Sequence, residues 1–184
     1  MANDSANVSA AKPNVGGAIY WAPAGTIVPT DGSTALASAF QSVGYVSTDG
    51  LTEKETRNYT KHKAWGGATV ASSQTEYAKS YSFKMIETNE TTLKIRYGAA
   101  NVTAASGKVS KVVHNASELP EGVWVVEMII GGRIVRKVMP KAKVEEIGDI
   151  SYKDDSVVSY DVTIGLLPDA NGNYETDHYA EVKA

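Results

Sequence analysis

Apolar and polar positions alternate with a period of two along much of this chain, the spacing that puts successive side chains on opposite faces of a β-strand. In residues 75–86, Tyr77, Lys79, Tyr81, Phe83 and Met85 share one face against small or polar neighbours. In residues 156–167, Ser156, Val158, Tyr160, Val162, Ile164 and Leu166 oppose Val157, Ser159, Asp161, Thr163 and Gly165. The segment 123–140, VWVVEMII-GG-RIVRKVMP, joins two β-branched runs at Gly131-Gly132. A glycine pair supplies the positive φ angles of a two-residue type I′ turn, so this segment is predicted to be a long antiparallel hairpin. Its first arm is apolar on both faces, which requires a cover on both, from the protein's own core or from another subunit.

Other stretches are polar on both sides. From Leu51 the pattern puts Glu53, Glu55 and Arg57 on one face and Thr52, Lys54 and Thr56 on the other, a ribbon that runs through Trp65-Gly66-Gly67 and returns at residues 68–73. A strand of this kind is an exposed edge or a water-facing surface. Residues 15–22 and 43–47 read as short strands, with Asp49-Gly50 as a turn, and residues 22–40, with Pro23 and Pro29, as a long loop. One helix is predicted over 88–97: Thr88 or Asn89 caps it, Glu90 suits its positive end, Lys94 and Arg96 its negative end, and Gly98 the C′ position. Leu93 and Tyr97 lie on its inward face. Further strands are expected at 99–105, 108–114 and 142–152, with a turn at 168–172 and a polar tail to the end. The sum is mainly β: an antiparallel β-sandwich or barrel flanked by one short α-helix. Residues 1–14, small and polar, form a flexible arm, and residues 15–184 a single domain.

Composition excludes more than it suggests. A net charge of −3 from 18 basic and 21 acidic residues gives no electrostatic capture of nucleic acid or of an anionic membrane. The absence of cysteine removes disulfides, thiolate metal sites and a cysteine nucleophile. With no signal-like start and no long apolar window, a soluble chain made in the cytoplasm is expected, and the N-x-S/T triplets at Asn7, Asn58, Asn89, Asn101 and Asn115 carry no glycan meaning. His62, His114 and His178 are far apart in sequence, and no nucleotide-binding or nucleophile motif occurs. The run from Asp169 to Asn173 faintly echoes a calcium loop, but Tyr174 and Ala180 stand where that loop needs Gly and Glu. Glu53/Glu55 and Glu145/Glu146 could in principle serve a glycosidase, but acids this close in sequence are far more often a solvated stripe, and catalytic pairs usually come from different strands. Trp21, Trp65 and Trp124 could line a sugar-binding platform, although core or interface packing is the commoner use. No enzyme, metal or cofactor is expected.

The assembled pattern resembles the major tail tube proteins of long-tailed, siphovirus-like bacteriophages. The residues that carry the resemblance are GGAIYWAPAGTIVPTD (16–31), AFQSVGYVSTDGL (39–51), EKETRNYTKHKAWGG (53–67), SFKMIETNETTLKIRYG (82–98) and SVVSYDVTIGLLPD (156–169). The resemblance implies a β-sandwich flanked by a helix, hexameric rings, and stacking of those rings into a hollow conduit for DNA in the virion tail, assembled in the host cytoplasm. It implies partners as well: the chain itself, and tail tip, tape measure and terminator proteins, with DNA passing through the lumen without specific binding. A lumen should not hold phosphates, so faces carrying Glu53 and Glu55, or Ser159, Asp161 and Thr163, are candidate lumen walls; the same acids would equally keep an outer surface soluble. Contacts between subunits or rings are expected from the arm, from the loop with Pro23, Pro29 and Asp31, and from the ribbon with Tyr59, His62 and Trp65. The alternative is a non-catalytic carbohydrate-binding or capsid-decoration β-sandwich.

Overall fold

The computed structural model describes residues 3–5, 8–14 and 18–182. The predicted first strand at 15–22 therefore falls partly outside the described residues. The strands are β1 (Lys12–Pro13), β2 (Ile19–Pro23), β3 (Gln41–Ser42), β4 (Val46–Lys63), β5 (Thr69–Met85), β6 (Val102–Ala105), β7 (Lys108–Val112), β8 (Gly122–Ile130), β9 (Arg133–Ile147), β10 (Tyr160–Leu166) and β11 (Thr176–Glu181), with helix α1 (Glu90–Tyr97) between β5 and β6. Nine strands form one antiparallel sheet whose main path runs β3-β2-β8-β9-β10-β5-β4, with β1 beside β8 and β11 beside β9; β6 and β7 form a separate hairpin.

The sheet is strongly curled. Its two end strands, β3 and β4, are joined by residues 43–45 alone. Six flat strand spacings would separate them by about 29 Å, and a link that short reaches only about 14 Å. The curl closes one face around a core that runs from Ile19 and Trp21, through Trp124 and Val126, to Val162, Ile164, Phe83 and Met85. Phe83 and Trp124 meet edge to face, 6.0 Å between centroids, although two strands lie between theirs in the sheet. The edges do not close into a barrel.

Helix α1 and the β6–β7 hairpin cover this core. Asn89 is the N-cap, its Oδ1 accepting from the Thr92 N–H at 2.8 Å, and Gly98 at φ 88° closes the C-terminus onto the Lys94 carbonyl. Leu93 and Ile95 are the buried apolar residues of the helix. Arg96, placed by the sequence at the negative end of the helix, is buried: it donates to the Gly148 carbonyl at 2.7 Å and the Asp161 carbonyl at 3.3 Å, fastening the helix to β10 and to the chain just past β9.

The β8–β9 hairpin has the expected turn, with Gly131 and Gly132 at φ 59° and 78° and Ile130 opposite Arg133. Five segments differ from the pattern. β9 runs through Pro140 instead of ending there, because Pro140 falls in a break of the β8 ladder between Met139↔Trp124 and Ala142↔Gly122, where no N–H is needed. Asp49-Gly50 is an irregularity within β4 and not a turn between strands. Residues 99–101 form a short 3-10 turn, and residues 156–159 precede β10 with no strand to pair with. The polar tail contains a strand, β11, paired along the first half of β9.

Candidate functional site

The first surface is the β4–β5 ribbon. Its root is held in the sheet, where β5 pairs with β10 from Ser80 to Met85. Beyond it the hairpin continues alone, and every residue from Arg57 to Glu76 is exposed. Tyr77 is the last propped position: Tyr174 packs edge to face against it at 4.7 Å and Arg57 covers it at 4.6 Å. Past this point, among the described residues, the ribbon is tied only to itself, by Asn58 donating to Glu76, Tyr59 to Gln74 at 3.5 Å, and the His62–Ser73 contact at 3.1 Å. Trp65 stands fully exposed at the tip, and Tyr59 is half exposed. The three interface candidates of the ribbon thus share one free projection.

The root is stiffened by a charge cluster between four strands. Lys79 on β5 pairs with Glu53 on β4 at 2.7 Å and with Glu175 at 2.8 Å; Lys137 on β9 pairs with Glu175, Asp177 and Glu53 at 2.9–3.1 Å. The Tyr81 hydroxyl donates to Glu175. Burial acts to raise the Glu53 pKa, but hydrogen bonds from Lys79, Tyr81 and Lys137 outweigh it and hold the carboxyl at about 2. Burial of Tyr81 beside Glu175 pushes its hydroxyl far above the usual phenol range.

The second surface is the loop of residues 24–40, two of whose carbonyls are held by Arg136 of β9 on the face that also carries Glu127 of β8. Glu127 and Arg136 form a buried ion pair at 2.6 Å. Arg136 also donates to the carbonyls of Asp31 at 2.7 Å and Thr34 at 2.9 Å, and Asn14 of the arm donates to Glu127 at 3.1 Å. One ion pair therefore fixes both the loop and the end of the arm. Asp31 turns the loop: its carboxylate accepts from the N–H groups of Thr34 and Ser33, both at 2.6 Å, and the Thr34 side chain together with these N–H groups holds its pKa well below the ordinary carboxylate range. Pro23 ends β2 exposed, its carbonyl capping Thr26, and Pro29 is half buried.

The third surface is the outer face of β10, β5 and β4. Thr163 and Ser82 are cross-strand partners with hydroxyls 2.9 Å apart, and Lys84 bridges Asp49 at 3.1 Å and Asp161 at 3.8 Å. Gly165, with no side chain, leaves room for the Glu145 carboxylate to lie across the sheet. Asp161 and Thr163 share this face, with Ser159 just ahead of the strand. Glu53 and Glu55 do not: Glu53 is opposite Tyr81 and Glu55 opposite Lys79, on the side of the charge cluster. The two sets of candidate lumen residues lie on opposite faces.

Sequence reasoning missed Glu127, Arg136, Lys137 and Glu175. The first two had a signal: a turn at Gly131-Gly132 fixes a register that sets Arg136 directly opposite Glu127, a lone acid in an apolar arm. Glu175 and Lys137 had none, since β11 and the loop before it reach β9 only through the tertiary fold. The tryptophans form no common platform, because Trp21 and Trp124 are buried while Trp65 stands at the ribbon tip. No curated protein matches the chain. A family model described as phage tail tube protein matches residues 1–179, and with almost its whole length covered the chain belongs to the phage tail tube protein family.

Proposed function

We propose that this chain is the structural subunit of a hollow tail tube, built from hexameric rings that stack and let DNA pass into the host. Family membership supports a structural tail role in the virion, and assembly with itself and with other tail proteins. The observation that carries the reading is the β4–β5 ribbon. Residues 69–79 lie beyond the part of β5 that pairs with β10, a reach of roughly 35 Å at about 3.3 Å per residue. A lone two-stranded ribbon in water is marginally stable at best, so such a projection is suited to a partner that completes it.

On this reading the lumen wall is the face with Ser82, Asp161 and Thr163. Hydroxyls and acids there, with Lys84 engaged by Asp49 and Asp161, leave few free cations for phosphates to displace counterions from. The Glu53 and Glu55 face, bound into the charge cluster, sets the ribbon's direction. Tyr59, His62 and Trp65 contact the next ring, and Pro23, Pro29 and Asp31 a neighbouring subunit. Tail tip, tape measure and terminator proteins meet the ends and interior, and assembly takes place in the host cytoplasm.

The experiment is negative-stain electron microscopy with size-exclusion chromatography over a range of concentrations. Hollow tubes with six-fold end-on views are expected, appearing directly or after seeding. A chain that stays monomeric at all concentrations, even with tail tip complexes as seeds, would overturn the proposal.

A further inference from the structure

We infer that the tip of the ribbon docks on residues 145–157 of a second copy, at the root of that copy's sheet. The inference rests on the tube reading and names the two surfaces that meet between rings.

Charge divides the molecule along β5. Between Tyr59 and Thr75 the ribbon carries Lys61 and Lys63 and no acidic residue. At the opposite end, residues 145–155 carry Glu145, Glu146, Asp149, Asp154 and Asp155 against the single Lys153. All five acids are exposed and none is in an ion pair among the described residues; Lys143, near Glu145, is engaged by Glu118. Lys61 and Lys63 are likewise exposed and without an ion pair among the described residues. Each surface also offers apolar area to the other. Trp65 and Val70 are bared at the tip, and Tyr152, Val157 and Ile147 at the root, the first two of these three more than two-thirds exposed. A basic surface with an aromatic anchor and an acidic surface with exposed aromatic and aliphatic groups are complementary in both respects.

Within one copy they cannot meet. Glu146 pairs with Thr163 and Thr163 with Ser82, whereas Thr69 opens the far end of β5. At about 3.3 Å per residue, Ser82 and Thr69 are roughly 40 Å apart along a ladder that keeps the ribbon extended. The complement of each surface therefore lies on another copy. Tip to root is a heterologous contact, the kind that, where its rotation does not close a ring, adds copies in one direction as stacking requires.

The chain has no cysteine, so introduced thiols are unique. In the full chain, Ala64→Cys with Val157→Cys, treated with a short bismaleimide, should give a ladder of dimers, trimers and higher oligomers, while each single variant stops at dimers. Separately, Lys61→Glu/Lys63→Glu and Asp154→Lys/Asp155→Lys should each abolish tube growth, and the four changes together should restore it. A ladder without tubes would uphold the pairing and sink the tube reading. Tubes without a ladder, or with growth indifferent to either charge reversal, would overturn the pairing and leave the tube reading standing. Absence of both ladder and tubes would overturn both.

Discussion

A single buried ion pair, Glu127 with Arg136, holds a loop and the end of the arm in place. Arg136 satisfies Glu127 and, with the rest of its guanidinium, two carbonyls of the 24–40 loop. Loops of that length carry few self-contained contacts, and the planar fork of an arginine supplies several donors at once. Arg136→Met removes all of these donors and leaves Glu127 buried without its charge partner. Losing one member of such a pair costs about 3–5 kcal/mol. We expect a urea midpoint lowered to match, with faster amide exchange in residues 31–34 and little change on the far side of the sheet. A midpoint within error of wild type would show that the loop holds itself in place. A lysine at 136 should rescue only in part, since one ammonium cannot reach Glu127 and both carbonyls together.

Among the elements, the ribbon root makes the sharpest prediction, because its pH dependence has a definite sign. The Glu53 carboxyl is held at about 2 in the fold, below its ordinary value of 4.5. A depressed folded pKa contributes stability that is fully present above the unfolded value and lost as pH falls toward the folded one. The wild type should therefore lose stability more steeply than Glu53→Gln between about pH 4.5 and 2, measured by denaturant unfolding across that range. Parallel curves for the two proteins would show that the cluster does not hold β4 to β9. The same root shows what was legible in the sequence. Strands with an apolar face, such as β5 and β10, announced themselves by alternation, the helix by its cap and end charges, and the long hairpin by two glycines. β11 did not, because TDHYAE has no apolar face to detect and is a strand only because the edge of β9 is open to it. The opposite error came at residues 156–159, which alternate correctly but have no neighbouring strand. The ribbon was legible as an exposed segment, whereas which face each of its residues occupied depended on the ladder register.

At the scale of the whole molecule, a curled open sheet, a projecting ribbon and an N-terminal arm divide folding from assembly. The core closes without help from the ribbon tip, and the 24–40 loop is fastened within one copy, so the subunit should fold before it polymerises. The arm straddles that division. Lys12 and Pro13 pair with Ile129 and Met128, and Asn14 reaches Glu127, so the end of the arm belongs to the fold. The described residues before it, from Asn3 to Ala11, are all exposed and bury no apolar surface. Deleting residues 2–11 should then leave the thermal midpoint nearly unchanged, because exposed polar residues contribute little to stability. It should abolish or shorten tubes, because a ring that stacks through many weak contacts loses growth steeply when each subunit gives up one of them. The check is calorimetry beside electron microscopy on the same preparation. A fall in midpoint large enough to unfold the subunit would place the arm with the core. Tubes of wild-type length from a stable truncated protein would confine assembly to the ribbon, the loop and the acidic root.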